Sequence, residues 1–211
     1  MPTASSSLPS WFGRAVVEAT LIVFAVVLGF IVNEWREDVA DRRAAEAAMD
    51  RVVTEIESNI AQLEAVVDYH EAVGERIDAR LAEIADAPEP VVGVFFDEFP
   101  VILPRGINAP GLSDFAWTHA QEHGRLNVLP YEVVSDTARV YAIQTEGVQS
   151  TWRQIVELLF SGPQLMRAHD IEPSLRFTQL GFVELAAQER SLIGQYRVVL
   201  ERLRENGFGE D

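Results

Sequence analysis

From Met49 onward the apolar positions recur at alternating steps of four and three: Met49, Val53, Ile56, Ile60, Leu63, Val67, His70, Gly74, Ile77, Leu81 and Ile84. This is one stripe of an amphipathic helix in heptad register. Charged residues such as Glu55, Glu57, Glu64, Asp68, Glu75, Arg76, Asp78 and Arg80 fill the other faces, so one narrow stripe must be covered. His70 and Gly74 interrupt it. A histidine on such a seam reads as a satisfied core residue, and the glycine as a close helix approach or a slight bend. A second run, Val134, Ala138, Tyr141, Thr145, Val148, Trp152, Ile155 and Leu159, keeps strict steps of four and three between Pro130 and the Gly162–Pro163 stop. A third begins with Pro173 in its first turn, continues through Phe182, Ala186, Ile193, Tyr196, Leu200 and Leu203, and ends at Asn206 and Gly207. Between the first two, Ser113 can cap a short helix, Asp114 to His123, that Gly124 closes and Trp117 anchors in the core. The expected fold is all-α: an up-and-down helical bundle in which the stripes cover one another, with Leu63 and Trp152 central.

Ahead of the first stripe the pattern changes. Thr20 to Val32 is uninterrupted apolar sequence, and counting back through Val16 and Ala15 brings it to the length a bilayer requires. Trp11 and Trp35 flank it as interfacial residues, roughly 36 Å apart at the helical rise. We therefore read 1–10 as a disordered tail and 11–35 as a transmembrane anchor. Asn33, Glu34, Trp35 and Arg36 are not the small residues of a cleavage site, so the anchor is expected to stay attached. No proline occurs between Pro9 and Pro88, so the membrane helix continues into a stalk helix, 36–87. Prolines at 88, 90, 100, 104 and 110 mark 88–112 as an irregular crossover with room for a short turn or strand, and 113–207 supplies the remaining bundle helices. Within the anchor, Glu18, Ala25, Gly29 and Asn33 share one helical face. Two readings stand: the face packs against another span, or Glu18 snorkels to water. More arginines follow the span than precede it, yet a long domain can translocate regardless of its charge; we read the C-terminal domain as extracytoplasmic.

Composition narrows the partners. A net charge of -16 on 211 residues argues against nucleic acid and anionic headgroups. The absence of cysteine excludes a disulfide framework, a thiolate metal site and a cysteine nucleophile. No cofactor is expected. The expected partners are the lipid bilayer and either a second copy or another membrane protein.

One pattern carries catalytic chemistry on paper. His119, Glu122 and His123 form H-x-x-E-H, the inverted zincin motif, in which two histidines share a metal and the glutamate acts as base. A third ligand would have to come from Glu184, Glu189 or Glu201 on the last helix. Against it stands a helix of barely three turns whose two histidines have a simpler place, solvated near its C-terminus. A pocket lined by Tyr141, Trp152 and Tyr196 is the other candidate, although aromatics at this spacing are more often core.

Two stretches carry a family resemblance. Glu18, Leu21, Ile22, Val23 and Gly29, followed by Asn33, Glu34, Trp35 and Arg36, resemble the acid, apolar run, glycine and N-x-W exit of an uncharacterised family of bacterial single-pass membrane proteins known as a domain of unknown function. Ala116, Trp117, Ala120, Gly124 and Leu126 are similar to its short W-x-x-A-x-x-x-G-x-L helix. The resemblance implies an envelope protein with an N-terminal anchor and a helical domain, and no assigned chemistry. The expected role is that of a non-enzymatic interaction or scaffold module. A zinc-dependent hydrolase and a ligand-binding sensor are the alternatives.

Overall fold

The computed structural model describes residues 10–89, 91, 93–122, 125–160 and 171–209, with backbone only at 10–16 and 125. The protein is all-α, with no strand among the described residues. Its first helix, α1 (Ser10–Ala85), runs 76 residues without interruption. A 3-10 turn at Phe95–Glu98 leads into the single-turn α2 (Phe99–Ile102); α3 (Phe115–Glu122) and a second 3-10 turn (Arg125–Val128) follow. Then come α4 (Tyr131–Ile143), a π-helical turn (Gln144–Gln149), α5 (Ser150–Phe160) and α6 (Glu172–Glu205).

Along α1 the environment changes once. Every large apolar residue between Val17 and Val32 is 48% to 71% exposed, and this part is long and apolar enough to cross a membrane. Burial begins at Ala45, ten residues beyond Trp35 or about 15 Å along the axis. From there the expected stripe is inside, with Met49, Ile56, Leu63, His70 and Ile77 all at 0% exposure. The buried face is wider than one narrow stripe, because Ala45, Val52, Asn59, Val66 and Val73, spaced at sevens, are buried as well. A third heptad position is filled because α1 is covered on two sides.

One cover is α6, antiparallel to α1. Its expected stripe is buried from Phe182 to Leu203. Register is marked on the rim by Glu57–Arg204, Glu64–Arg197 and Glu71–Arg190, three ion pairs at heptad spacing on both helices. Each exposed pair is worth little in stability, but the pairing tells one antiparallel register from the next. At Gly74 a Cβ would stand 3.2 Å from Val183, the close approach its position suggested. The helix ends in a Schellman motif: Phe208 N–H bonds the Leu203 carbonyl at 3.0 Å, Gly207 N–H bonds that of Arg204 at 2.9 Å, and Gly207 takes a φ of +84°. Phe208 is buried behind the motif.

The other cover is the crossover. Glu98 pairs with Arg80, the Ile102 carbonyl with Arg76, Gly106 with Tyr69 and Ser113 with Asn59, so the segment descends α1 step by step. It is an irregular fourth leg of the bundle. The chain then climbs through α4 and α5 and returns down α6.

The middle stripe needs a correction. Through α4 and into the first residue of the π turn the buried positions are Val133, Thr137, Val140 and Gln144, each one residue ahead of the expected Val134, Ala138, Tyr141 and Thr145; Tyr141 is buried beside them, while Thr145 is exposed. Downstream, Val148, Ile155 and Leu159 fall where expected. A π turn inserts one residue into the helical count, which accounts for the offset. Trp152 is half-buried, not central, whereas Leu63 is fully enclosed.

Because burial starts at Ala45, a fragment beginning at Arg43 should fold alone and melt cooperatively. In it, Leu63→Ala should cost about 2–5 kcal/mol in urea unfolding, the usual loss for a buried leucine. A non-cooperative transition would show that the core needs the anchor.

Candidate functional site

The crossover's backbone groups lack regular secondary-structure partners, so side chains of α1 serve them. Two buried polar clusters result, and these are the chemical candidates of the fold.

The first is centred on His70, which is fully buried with Glu189 of α6. Its Nδ1 lies 3.0 and 2.9 Å from the two carboxylate oxygens, and its Nε2 lies 3.3 and 3.2 Å from the carbonyl oxygens of Ile107 and Asn108. Asn108 sits at a φ of +52°, in the left-handed region that asparagine tolerates better than most residues. Carbonyls only accept, so Nε2 carries a hydrogen. One more proton is shared between Nδ1 and Glu189, as imidazolium with carboxylate or as imidazole with carboxylic acid. Trp152, Phe182 and Tyr69 surround the ring, with centroids 5.9, 5.7 and 5.8 Å away. Next to it, the Tyr69 hydroxyl donates to the Gly106 carbonyl at 2.6 Å.

The second cluster is centred on Glu55 and Asn59. Asn59 grips the backbone of Ser113 at both ends, donating from Nδ2 to its carbonyl at 2.7 Å and accepting from its N–H at 2.9 Å. Glu55 accepts from the Ser113 hydroxyl at 2.6 Å, from Ala116 N–H at 3.0 Å and from the Tyr141 hydroxyl at 2.7 Å. The carboxylate that caps α3 therefore comes from α1. Ser113, the expected cap, reaches only Phe115 N–H, at 3.4 Å. Gln144, turned inward by the π segment, accepts from the buried Tyr196 hydroxyl. Trp117 stacks on Tyr141 at 5.6 Å and 3°. Burial and then the Glu55 hydrogen bond push the Tyr141 phenol well above its ordinary value, and burial raises that of Tyr196.

These clusters are consumed by the fold. Tyr141, Trp152 and Tyr196, the candidate pocket rings, pack against Trp117, His70 and Tyr141 respectively. The metal motif is not assembled among the described residues. His119 and Glu122 lie on the exposed side of α3, and His123 falls outside the described residues. Glu189, a candidate third ligand, is bonded to His70 instead, while Glu184 and Glu201 face outward on α6. No group of three or more His, Asp or Glu side chains suited to a metal occurs among the described residues. In the apolar part of α1 and its exit, Glu18, Ala25, Gly29 and Asn33 are all exposed, as is Trp35; Asn33 donates to Glu37 at 2.7 Å. Trp11 is described in backbone only.

Nothing in the spacing of the chain indicates that His70 and Glu189 meet. Glu55 and Asn59 share a face one turn apart, but their bonds go to backbone, which has no sequence signature. No protein family, curated protein or solved structure matches the chain.

Two outcomes follow from the proton arrangement and the buried phenols. Glu189→Leu should cost about 3–5 kcal/mol by stranding the imidazole, whereas Glu189→Gln, whose amide can donate to a neutral Nδ1, should cost about 1 kcal/mol. Equal losses in urea unfolding would refute the shared proton. For the phenols, a raised folded value means that their contribution is intact below the ordinary tyrosine value near 10 and declines as pH rises beyond it. Wild-type stability should therefore fall above about pH 10, and Tyr141→Phe should flatten that fall.

Proposed function

We propose that the protein is a single-pass anchored helical bundle of the bacterial inner membrane, acting as a non-enzymatic interaction or scaffold module of the envelope. The observation that carries this reading is the single helix α1, whose exposed apolar part passes without a break into the core of the bundle. Such an exposed apolar run is at home in lipid, and its continuation holds a folded surface about 15 Å from the interface. The His70 and Glu55 clusters support the same reading, since their hydrogen bonds are made within the fold. On this reading the bundle is extracytoplasmic.

Compartment is decided by cysteines placed singly at Ser6 and Ser191. A membrane-impermeant thiol reagent should label the second and spare the first in intact cells; the reverse pattern puts the bundle in the cytoplasm. Alkaline carbonate should leave the protein in the membrane pellet, and its release would remove the anchor from the reading.

Association within the bilayer is the module's second expected contact. The Glu18, Ala25, Gly29, Asn33 face offers small residues for close approach and polar ones for hydrogen bonding, and nothing lies within 4 Å of a Cβ built at Gly29. Gly29→Leu should abolish cross-links between spans in native membranes, while Val27→Leu, on another face, should leave them. Identical monomeric patterns for wild type and Gly29→Leu would mean that the face meets only lipid.

A further inference from the structure

The arginines of α6 each hold a carboxylate: Arg176 pairs with Glu172, Arg190 with Glu71, Arg197 with Glu64, Arg202 with Asp136 and Arg204 with Glu57. On the crossover side of α1, Arg80 grips Glu98 through two hydrogen bonds, at 2.8 and 2.9 Å, and Glu83 through a third. One turn earlier the pattern breaks. Arg76 of α1 and Arg105 of the crossover have no carboxylate partner among the described residues, and both gather around the buried ring of Tyr69. Their guanidinium carbons stand 5.4 and 4.9 Å from its centroid.

The two cations are held differently. Arg76 is half-buried, and its Nε donates to the Ile102 carbonyl at 3.2 Å. The rest of its donor edge is unused, since Nη2 is buried without an acceptor and Nη1 has none among the described residues either. The tyrosine face attracts the charge but does not replace an acceptor, and a buried charged donor without one is costly. Arg105 has a fixed backbone and a free head. The Tyr69 hydroxyl accepts its N–H at 3.3 Å and donates to the Gly106 carbonyl at 2.6 Å, while the Arg105 side chain is exposed.

We propose that Arg76 and Arg105 form a binding site for the phosphate group of a soluble small molecule. Such a site goes beyond the scaffold role and does not depend on it. Arg76 is the pre-positioned half, a planar fork that matches two oxygens of one anion, and Arg105 is the half that closes on the ligand. The fork is approached from its Nη1 side, which is not buried. Two like charges around one ring repel each other, and an anion between them removes that repulsion. A carboxylate brings one charge and two oxygens, which a single guanidinium uses up. A phosphate brings close to two charges and three oxygens, enough for both. The acids Glu83 and Glu98 are already held by Arg80. The net charge of -16 opposes any anion, so selection falls to the local geometry. Tyr69 lies 34 residues beyond Trp35 on α1, about 51 Å at the helical rise, so on the membrane reading a lipid headgroup is not the source of the phosphate.

The test is isothermal titration calorimetry of the full chain in maltoside micelles, which carry no phosphate. Inorganic phosphate is the probe, and chloride holds the ionic strength constant. Wild type should bind phosphate saturably, and acetate about tenfold more weakly. Arg76→Lys keeps the charge and loses the fork, so phosphate affinity should fall about tenfold. Arg105→Ala, at an exposed position, should lower it likewise, which keeps the test readable should the change at 76 disturb the crossover. Arg139→Ala, at an exposed position of α4, should leave it unchanged. No saturable heat in wild type, or equal affinity in wild type, Arg76→Lys and Arg105→Ala, overturns the site. An equal loss in Arg139→Ala means diffuse charge attraction and overturns it too. Acetate bound as tightly as phosphate overturns the assignment of the ligand as a phosphate.

Discussion

A buried backbone must have its hydrogen bonds, and this requirement organises the bundle. Between Leu103 and Asp114 the chain descends α1 with no helix of its own, and five residues of α1 replace the missing ladder: Glu55, Asn59, Tyr69, His70 and Arg76. Each meets a backbone group of the descending leg or of the turns at its ends. The seam of α1 is therefore not apolar throughout. Asn59 and His70 stand at buried positions where a leucine would pack, because the leg beside them needs donors more than it needs volume. The same requirement places Glu55 at the head of α3, where the free N–H groups of a helix start favour a carboxylate.

Serving the leg from one side creates a second demand on the other. An imidazole that donates to the carbonyls of Ile107 and Asn108 has its Nδ1 turned toward α6, and Glu189 answers it there. Likewise the amide of Gln144 donates to the Ser113 carbonyl while its oxygen receives the Tyr196 hydroxyl. Polar satisfaction is thus relayed across the core from the crossover, through α1 or the π turn, to α6. Such relays tie three legs together with directional bonds where apolar packing alone would tolerate sliding.

Legibility followed the kind of bond involved. The stripes of α1 and α6 could be read because burial on a helix has a period, and the ends of α6 because Pro173 and Gly207 have backbone preferences of their own. The antiparallel register was also written in the chain, in Glu57, Glu64 and Glu71 against Arg190, Arg197 and Arg204, although it shows only when two helices are compared at sevens. The π turn was hidden because Thr145 keeps the apolar rhythm well enough to mask Gln144 as the inward residue. Trp152 looked central for the same reason; its ring covers His70 from the edge of the core. The descending leg was illegible, since bonds from side chain to backbone leave no periodic trace.

What remains is the stretch between Trp35 and Ala45, which the buried core does not reach and which, on the proposed reading, lies outside the bilayer core. An isolated helix of about ten residues is marginal in water, because the first turn fixes several residues for one hydrogen bond. Here that nucleation is supplied at both ends, by the apolar span below and by the packed helix above. Propagation through Arg36 to Ala44 then requires only one added bond per residue. The link is consequently helical with little packing: Val39 and Ala44 are half-buried, and Arg42 lines a cleft with Leu129, Pro130 and Phe208. With few buried contacts, its local unfolding costs less than that of the core.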